Sequence, residues 1–238
     1  MKPRDFACRV ARKVIYPLLP QTARLPFNYW LHVAAGSVEP ELRHIRSICK
    51  QRNVAIDVGA NIGLYSYRLA QIFPKVYAFE INEGVAADLM SYHARNIIVI
   101  HLGLSSEHRD VTLYIPVANG IQLNGWASLL PDNCPDTQTH ITKSVHVQPL
   151  DSYSLSNVSF IKIDVEGHEV EVLRGAVETI SAGQPVVLVE VKEQNWERVS
   201  SFFETAGYEE VSLKSLANVD GAAENHIFVP RAKCHKAS

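Results

Sequence analysis

From residue 53 onward the chain alternates two kinds of segment. Short apolar runs at 54–57, 76–80, 97–101, 160–165 and 185–191 are rich in Val and Ile and lack polar alternation, the pattern of strands buried on both faces. Between them, at 64–72, 85–95, 169–180 and 196–206, apolar residues recur every three to four positions and predict helices, the last closed by Gly207. Strand and helix in alternation predict an α/β fold with a mostly parallel sheet covered on both sides. Residues 208–213 and 226–229 predict a closing antiparallel pair, after a turn at Gly183-Gln-Pro185. No internal repeat interrupts this order.

The rhythm breaks twice. Residues 111–115 and 144–150 read as strands with no helix between them. Residues 119–143 are rich in Asn, Asp, Pro, Gly and Thr and carry Trp126, so they predict a long loop, and such loops in compact domains are usually lids or binding segments. Ahead of residue 53 the pattern is helical. At 5–16, Phe6, Val10 and Val14 fall on one side and Arg9, Arg12 and Lys13 elsewhere; at 39–50, Leu42, Ile45, Ile48 and Cys49 share a stripe. Pro17, Pro20 and Pro26 predict an irregular connection between the two. The organisation expected is a helical arm (1–50), one α/β domain (51–230) with a loop insertion at about 116–144, and a basic tail (231–238).

Charge adds an asymmetry. The 238 residues have a formal net charge of -2, but residues 1–50 hold nine Lys/Arg against three acids, net +6, which leaves -8 for the rest. A basic arm on an acidic body suits an anionic partner, a weak peripheral membrane contact, or self-complementarity, and is too small a feature to argue for nucleic acid. The plainer reading of the arm is a helix packed on the domain with solvated arginines. The four cysteines (Cys8, Cys49, Cys134, Cys234) form no CxxC pair and no Cys/His cluster, which argues against a zinc site and a disulfide framework and fits a cytoplasmic chain. The first residues lack the apolar run and cleavage pattern of a signal peptide. No window reaches the roughly 18 apolar residues of a membrane span.

Two stretches carry chemistry. The first, V-A-I-D-V-G-A-N-I-G (54–63), is a strand, a glycine loop and a helix start, the opening of a nucleotide-binding unit. The dinucleotide fingerprint G-x-G-x-x-G puts a glycine where a pyrophosphate approaches; here that position is Asn61. Asp57 at the strand tip disfavours a pyrophosphate and favours an ammonium or sulfonium. Glu80, one βα unit later, suits both hydroxyls of an adenosine ribose. Together they point to S-adenosylmethionine, against the blander reading of a structural turn capped by Asn61 beside a solvated Glu80. The second stretch is F-I-K-I-D-V-E-G-H-E (160–169). Lys162 and Asp164 share one strand face, and a lysine in a strand buried on both sides must be paired. Glu166 and His168 follow in the turn, and Glu169 reads as an acid in a helix first turn. Glu190 ends the next strand. These groups converge on the rim where open parallel sheets bind ligands.

These blocks, with A-F-E (78–80), V-L-R-G-A (172–176) and V-L-V-E (187–190), resemble the FkbM-type S-adenosylmethionine-dependent methyltransferases over about residues 45–230. The resemblance implies a Rossmann-like class I methyltransferase fold, a seven-stranded sheet with helices on both faces and an antiparallel last strand, and O-methylation, often of a sugar hydroxyl. It implies that Asp57, Gly59, Asn61 and Gly63 line the methionine end of the cofactor and that Glu80 holds the ribose. Where the family often reads L-S-D, this chain has Leu104-Ser105-Ser106; Leu104 and Ser105 remain adenine-side candidates, without the acid. Size and basic arm are also similar to rhizobial enzymes that 2-O-methylate the fucose of lipochitooligosaccharide nodulation signals, whose acceptor is a lipid-linked glycan.

A sugar hydroxyl is a weak acid and needs a base or a metal as it attacks. The base is expected among Asp164, His168 and Glu166, with Lys162 or Glu190 orienting the acceptor. Trp126 either stacks on a sugar face or sits over a small satellite core. Magnesium held by Asp164 and Glu190 is chemically suitable but is not favoured, because no third ligand is evident. The competing functions are a nicotinamide-dependent oxidoreductase, which the missing fingerprint disfavours, and a non-catalytic binding module on the same fold.

Overall fold

The computed structural model describes residues 13–131 and 139–234. The expected helix at 5–16 falls almost wholly outside them. Helix α1 (Gln21–Ala35), two short turns of helix, α2 (Pro40–Arg43) and α3 (Ile45–Ile48), and then β1 (Val54–Val58) lead into the domain. There follow α4 (Leu64–Ala70), β2 (Lys75–Phe79), α5 (Glu83–Ser91), β3 (Ile97–Ile100), β4 (Gly103–Leu104), β5 (Arg109–Ala118), β6 (Ile121–Gln122) and β7 (Thr139–Gln148). The chain closes with β8 (Val158–Ile163), α6 (Glu169–Arg174), α7 (Val177–Gly183), β9 (Val186–Glu190), α8 (Trp196–Thr205), β10 (Tyr208–Val211), α9 (Leu213–Ala217) and β11 (Asn225–Pro230). A last helical turn, Arg231–Cys234, opens the segment read as a basic tail.

The main sheet has seven strands in the order β10-β11-β9-β8-β1-β2-β3. Strands β1, β2, β3, β8 and β9 pair in parallel, and β11 runs antiparallel to both its neighbours. The sequence order reverses direction from β1 outward, toward β2 on one side and β8 on the other. Ligands bind beyond the carboxyl ends of the strands at such a switch point.

The apolar runs place alternate residues on two cores. Ile56, Val58, Ile161, Ile163 and Val189 face Val172, Leu173, Val199 and Phe203 of α6 and α8. Ala55, Phe160 and Leu188 face Leu69 of α4, Ile45 and Ile48 of α3, and Leu213 of α9. Lys162 and Asp57 belong to this second face by register, Asp57 lying beside Lys162.

Four expectations are corrected. The proline-rich segment is helical: α1 carries Pro26 within it and buries Leu25, Asn28 and Tyr29 against α4 and α5. The helix expected at 39–50 is two turns broken at His44. The helix expected at 169–180 is broken at Gly175, where a Cβ would lie 2.0 Å from the Ser105 carbonyl oxygen, so the chain can pass there only without a side chain. The insertion is also less loop than expected, since β5 and β7 pair over nine residues, 109–117 with 139–147, and with β4 and β6 form a second, four-stranded sheet.

Candidate active site

The site is built at the tips of β1, β2 and β8. Leaving β1, the chain turns at Gly59 (φ 77°). A Cβ there would come within 1.8 Å of the Asp164 carbonyl oxygen, so glycine lets the first loop lie directly against the exit of β8. Asn61, also left-handed at φ 52°, accepts from the Ile62 amide through its own side chain at 2.8 Å, which is how Asn tolerates this conformation. Its backbone N–H donates to Glu80 Oε2 at 2.7 Å, and the Asn82 N–H donates to Glu80 Oε1 at 2.7 Å. Burial raises the Glu80 carboxyl above its ordinary range, and the two backbone donors oppose that rise. Each oxygen keeps spare acceptor capacity for a ligand hydroxyl.

One cavity runs along these tips, about 690 Å³ including the open space at its mouth. Gly59, Asn61, Glu80, Leu104, Asp164, Glu166 and His168 all line it. Its cover is the second sheet: Leu113 of β5 and the segment Asn124, Gly125, Ala127 and Leu129 complete the wall. Two hydrogen bonds hold that cover down. Asn82 Nδ2 donates to the Asn124 carbonyl at 3.1 Å, and Ser128 Oγ donates to the Glu166 carbonyl at 2.8 Å.

Several expected residues stand off this wall. Asp57 is 1% exposed and accepts from Ser66 Oγ at 2.5 Å, one layer behind the loop; burial lifts its carboxyl to about 7. Gly63 (φ 90°) starts α4, and its missing Cβ would point at Leu89 and Leu25 rather than at the cavity. Ser105 is fully buried and bonds His168 Nε2 at 3.0 Å. His168 therefore lies on the Leu104 side of the cavity, and burial lowers its proton affinity. The Trp126 side chain is 54% exposed and off the cavity wall. Glu169, the first-turn acid, is buried and tied to the Gly167 N–H at 2.6 Å and to Asn195 Nδ2 at 2.7 Å, so it fixes the turn that carries Asp164, Glu166 and His168.

Asp164 and Glu166 on the cavity wall gather with Glu190, which like Lys162 is not among the lining residues: the three carboxylates bring oxygens within 4.8 Å of one another. Lys192, which the motif analysis left without a role, reaches 3.3 Å from Glu166, 3.7 Å from Glu190 and 3.5 Å from Glu224. Lys162 approaches Glu190 from behind at 4.0 Å. Burial raises all three carboxyls, Glu190 to about 7, with Asp164 as its next largest cause. Burial would lower Lys192, but Glu166, Glu224 and Glu190 outweigh it and hold the ammonium above its ordinary range. Glu166 is the third carboxylate that the sequence did not bring forward for a divalent ion; such an ion would have to compete with Lys192 for Glu166 and Glu190. Lys192 was discernible as a lysine two residues beyond a strand-end acid; nothing local pointed to the partners of Lys162.

A seven-stranded sheet in this order, with its glycine loop, strand-two acid and covered cavity, is the Rossmann-like class I methyltransferase fold. Residues 57–210 match the methyltransferase FkbM domain, and the chain belongs to that family. It is similar to the hexuronic acid methyltransferase AglP of Haloferax volcanii, 26% identical over 150 residues, which cover 62% of this chain and 59% of that protein. It is similar in fold to the crystal structure of methyltransferase FkbM from Methylobacillus flagellatus KT, with a TM-score of 0.52 and 16% identity, covering 92% of this chain and 58% of that one. The chain thus spans less than three fifths of each of these two relatives.

Proposed function

We propose that this chain transfers a methyl group from S-adenosylmethionine to a sugar hydroxyl. The observation that carries the reading is the cavity itself. Its wall carries Glu80, held by two backbone N–H groups with lone pairs to spare, and also Asp164 and Glu166, whose oxygens lie within 4.8 Å of Glu190, itself off the lining. The first suits a ribose diol, and the second suits a hydroxyl that must lose a proton. The hexuronic acid methyltransferase relative supports a sugar acceptor.

S-adenosylmethionine supplies, when bound, an electrophilic methyl on a sulfonium. The chain does the rest. Gly59 and Asn61 set the floor, Leu104 and Leu113 supply apolar wall, and residues 124–129 lie across them. Shielding the reacting atoms from water favours a step in which charge disappears. Glu190 accepts the hydroxyl proton. It is the strand-end carboxyl raised to about 7, and a base works best near the operating pH. Asp164 and Glu166 orient the acceptor beside it. His168, engaged with Ser105 on the other side of the cavity, shapes that wall instead of serving as the base.

Within this class, the narrower acceptor we favour is a deoxysugar hydroxyl of the fucose 2-OH type on a lipid-bearing oligosaccharide. Exposed Val14, Ile15 and Leu18 in the arm, exposed Ile121 on the second sheet and exposed Trp126 in the turn after it would meet its apolar part. The organisation proposed remains an arm (1–50), a methyltransferase domain (51–230) and a short tail. Calorimetry tests the cofactor: S-adenosylhomocysteine is expected to bind and NAD is not. Tight binding of NAD with none of S-adenosylhomocysteine would return the chain to the oxidoreductase reading.

A further inference from the structure

Lys162 is 1% exposed in the middle of the sheet, and its surroundings are more specific than a buried ion pair requires. Its ammonium lies 4.0 Å from Glu190 Oε2, outside hydrogen-bond contact. The hydrogen bond goes instead to Asn225 Oδ1, at 3.1 Å. The Tyr65 ring stands 5.1 Å away on another side, within cation–π range. Asn225 is the first residue of β11 and pairs in register with Glu190, so one short stretch of sheet carries both competitors for the ammonium.

The Asn225 amide is itself fixed. Its Nδ2 donates to Glu39 Oε2 at 2.8 Å and approaches Glu41 Oε2 at 3.4 Å. Two carboxylates on the donor side and an ammonium on the acceptor side permit one amide orientation only. Glu39 also accepts from the Tyr65 hydroxyl at 2.6 Å, and Glu41 accepts from the Ala222 N–H at 2.8 Å. Residues 39–41 and 222–225 both lie outside the stretch that matches the family, 57–210. The two ends of the chain therefore meet at a lysine inside the family motif.

We propose that Asn225, oriented by Glu39, is a positioning residue that holds the Lys162 ammonium off Glu190, so that Glu190 stays available as a proton acceptor at the acceptor rim. The functional consequence rests on the reading of Glu190 as the base; the geometric claim does not. An ammonium in direct contact would bind the carboxylate's lone pairs and favour its ionised form, making it a weaker base. Parked at 4.0 Å by a better-placed acceptor, it supplies field without contact. The other charged groups around Glu190 are Asp164 and Glu166 from the turn after β8, and Lys192 just beyond its own strand, which Glu224 also engages. Glu39 acts on Asp164 from the arm.

The test is a 13C-carboxyl NMR titration of Glu190 in the full chain, its resonance identified by its loss in Glu190→Gln. Asn225→Leu removes the competing acceptor, and the Glu190 midpoint is expected to fall by about one pH unit as the ammonium closes in. Glu39→Leu frees the amide to turn and should move the midpoint the same way. Glu39→Gln keeps an acceptor for Asn225 and Tyr65 while removing a charge, and should move it less. Should Asn225→Leu fail to fold, the half-buried Glu39 pair carries the test. A midpoint unchanged or raised in the folded variants, even with a lowered Tm, would overturn the proposal and leave the network a purely structural one. No methyl acceptor is needed, so this result is read separately from any failure of the proposed reaction.

Discussion

Glu190 and Asp57 are two acids that burial lifts to about 7, with opposite uses. Glu190 stands with the acceptor-rim cluster, so Glu190→Gln is expected to cut methyl transfer by about 10²–10⁴-fold, the range for loss of a general base, with S-adenosylhomocysteine affinity within twofold of wild type. The wild-type rate should rise as pH increases through about 7. Asp57 is sealed behind the loop, its carboxylate accepting from Ser66 Oγ. Its folded-state affinity for a proton exceeds the unfolded one, so the protonated form favours folding. That contribution is fully present below about pH 4, declines from there up to about 7, and is gone above it. Asp57→Asn should therefore raise Tm at pH 8 and leave it little changed at pH 4, by about 2–4 °C for each kcal/mol recovered; equal Tm shifts at both pH values would contradict this. Gly59, Asn61 and Glu80 were legible as cavity-wall residues because each makes its point within one βα unit, whereas Asp57, expected beside them, stands behind the loop on Ser66. Lys162 was legible as a lysine that must be paired. Its partner Asn225 was not, because 63 residues separate them and a lone Asn carries no periodic mark.

The elements were legible where hydrophobic period and breakers agree. β1, β2, β8 and β9 appear close to the expected limits because continuous Val/Ile runs have few alternatives. The misses have physical causes. Pro26 costs α1 a hydrogen bond and still sits inside it, because Leu25 and Tyr29 are buried against the domain; tertiary packing outweighs propensity. The break at Gly175 comes from the Ser105 backbone, 70 positions away in sequence, which no local window contains. Gly175→Ala is accordingly expected to cost about 3 kcal/mol, the upper part of the usual range, since the carbonyl it would meet is backbone and cannot rotate aside. Gly120 has φ 74° and open space around its missing Cβ, so Gly120→Ala should cost only about 1–2 kcal/mol, from the left-handed conformation alone. Urea unfolding of the two variants checks the order, and a larger loss at Gly120 would contradict it.

At the scale of the whole molecule, the cavity lies at the carboxyl ends of β1, β2 and β8, with part of the second sheet and the segment after it across it. The fold class and a single closing antiparallel strand followed from the sequence; the insertion of β11 between β9 and β10 did not, because strand order is set by packing that pattern does not encode. The arm has two parts in this account. Residues 39–41 reach the Lys162 network, while the exposed Val14, Ile15 and Leu18 touch no core. Removing residues 1–20 is therefore expected to lower turnover of a lipid-bearing acceptor at least fivefold and to spare a short soluble glycan. An equal effect on both would assign the segment to folding. Among the described residues no helix is long and apolar enough to cross a membrane.

The central claim is methyl transfer to a sugar hydroxyl. Incubation with isotope-labelled S-adenosylmethionine and a panel of deoxysugar-containing and uronic-acid glycans, read by mass spectrometry, tests it most directly. One labelled methyl is expected on a hydroxyl of a glycan in the panel, unaffected by chelator and reduced about 10²–10⁴-fold in Glu190→Gln. A chain that binds S-adenosylhomocysteine yet labels no glycan would contradict it and favour a binding module on a methyltransferase fold.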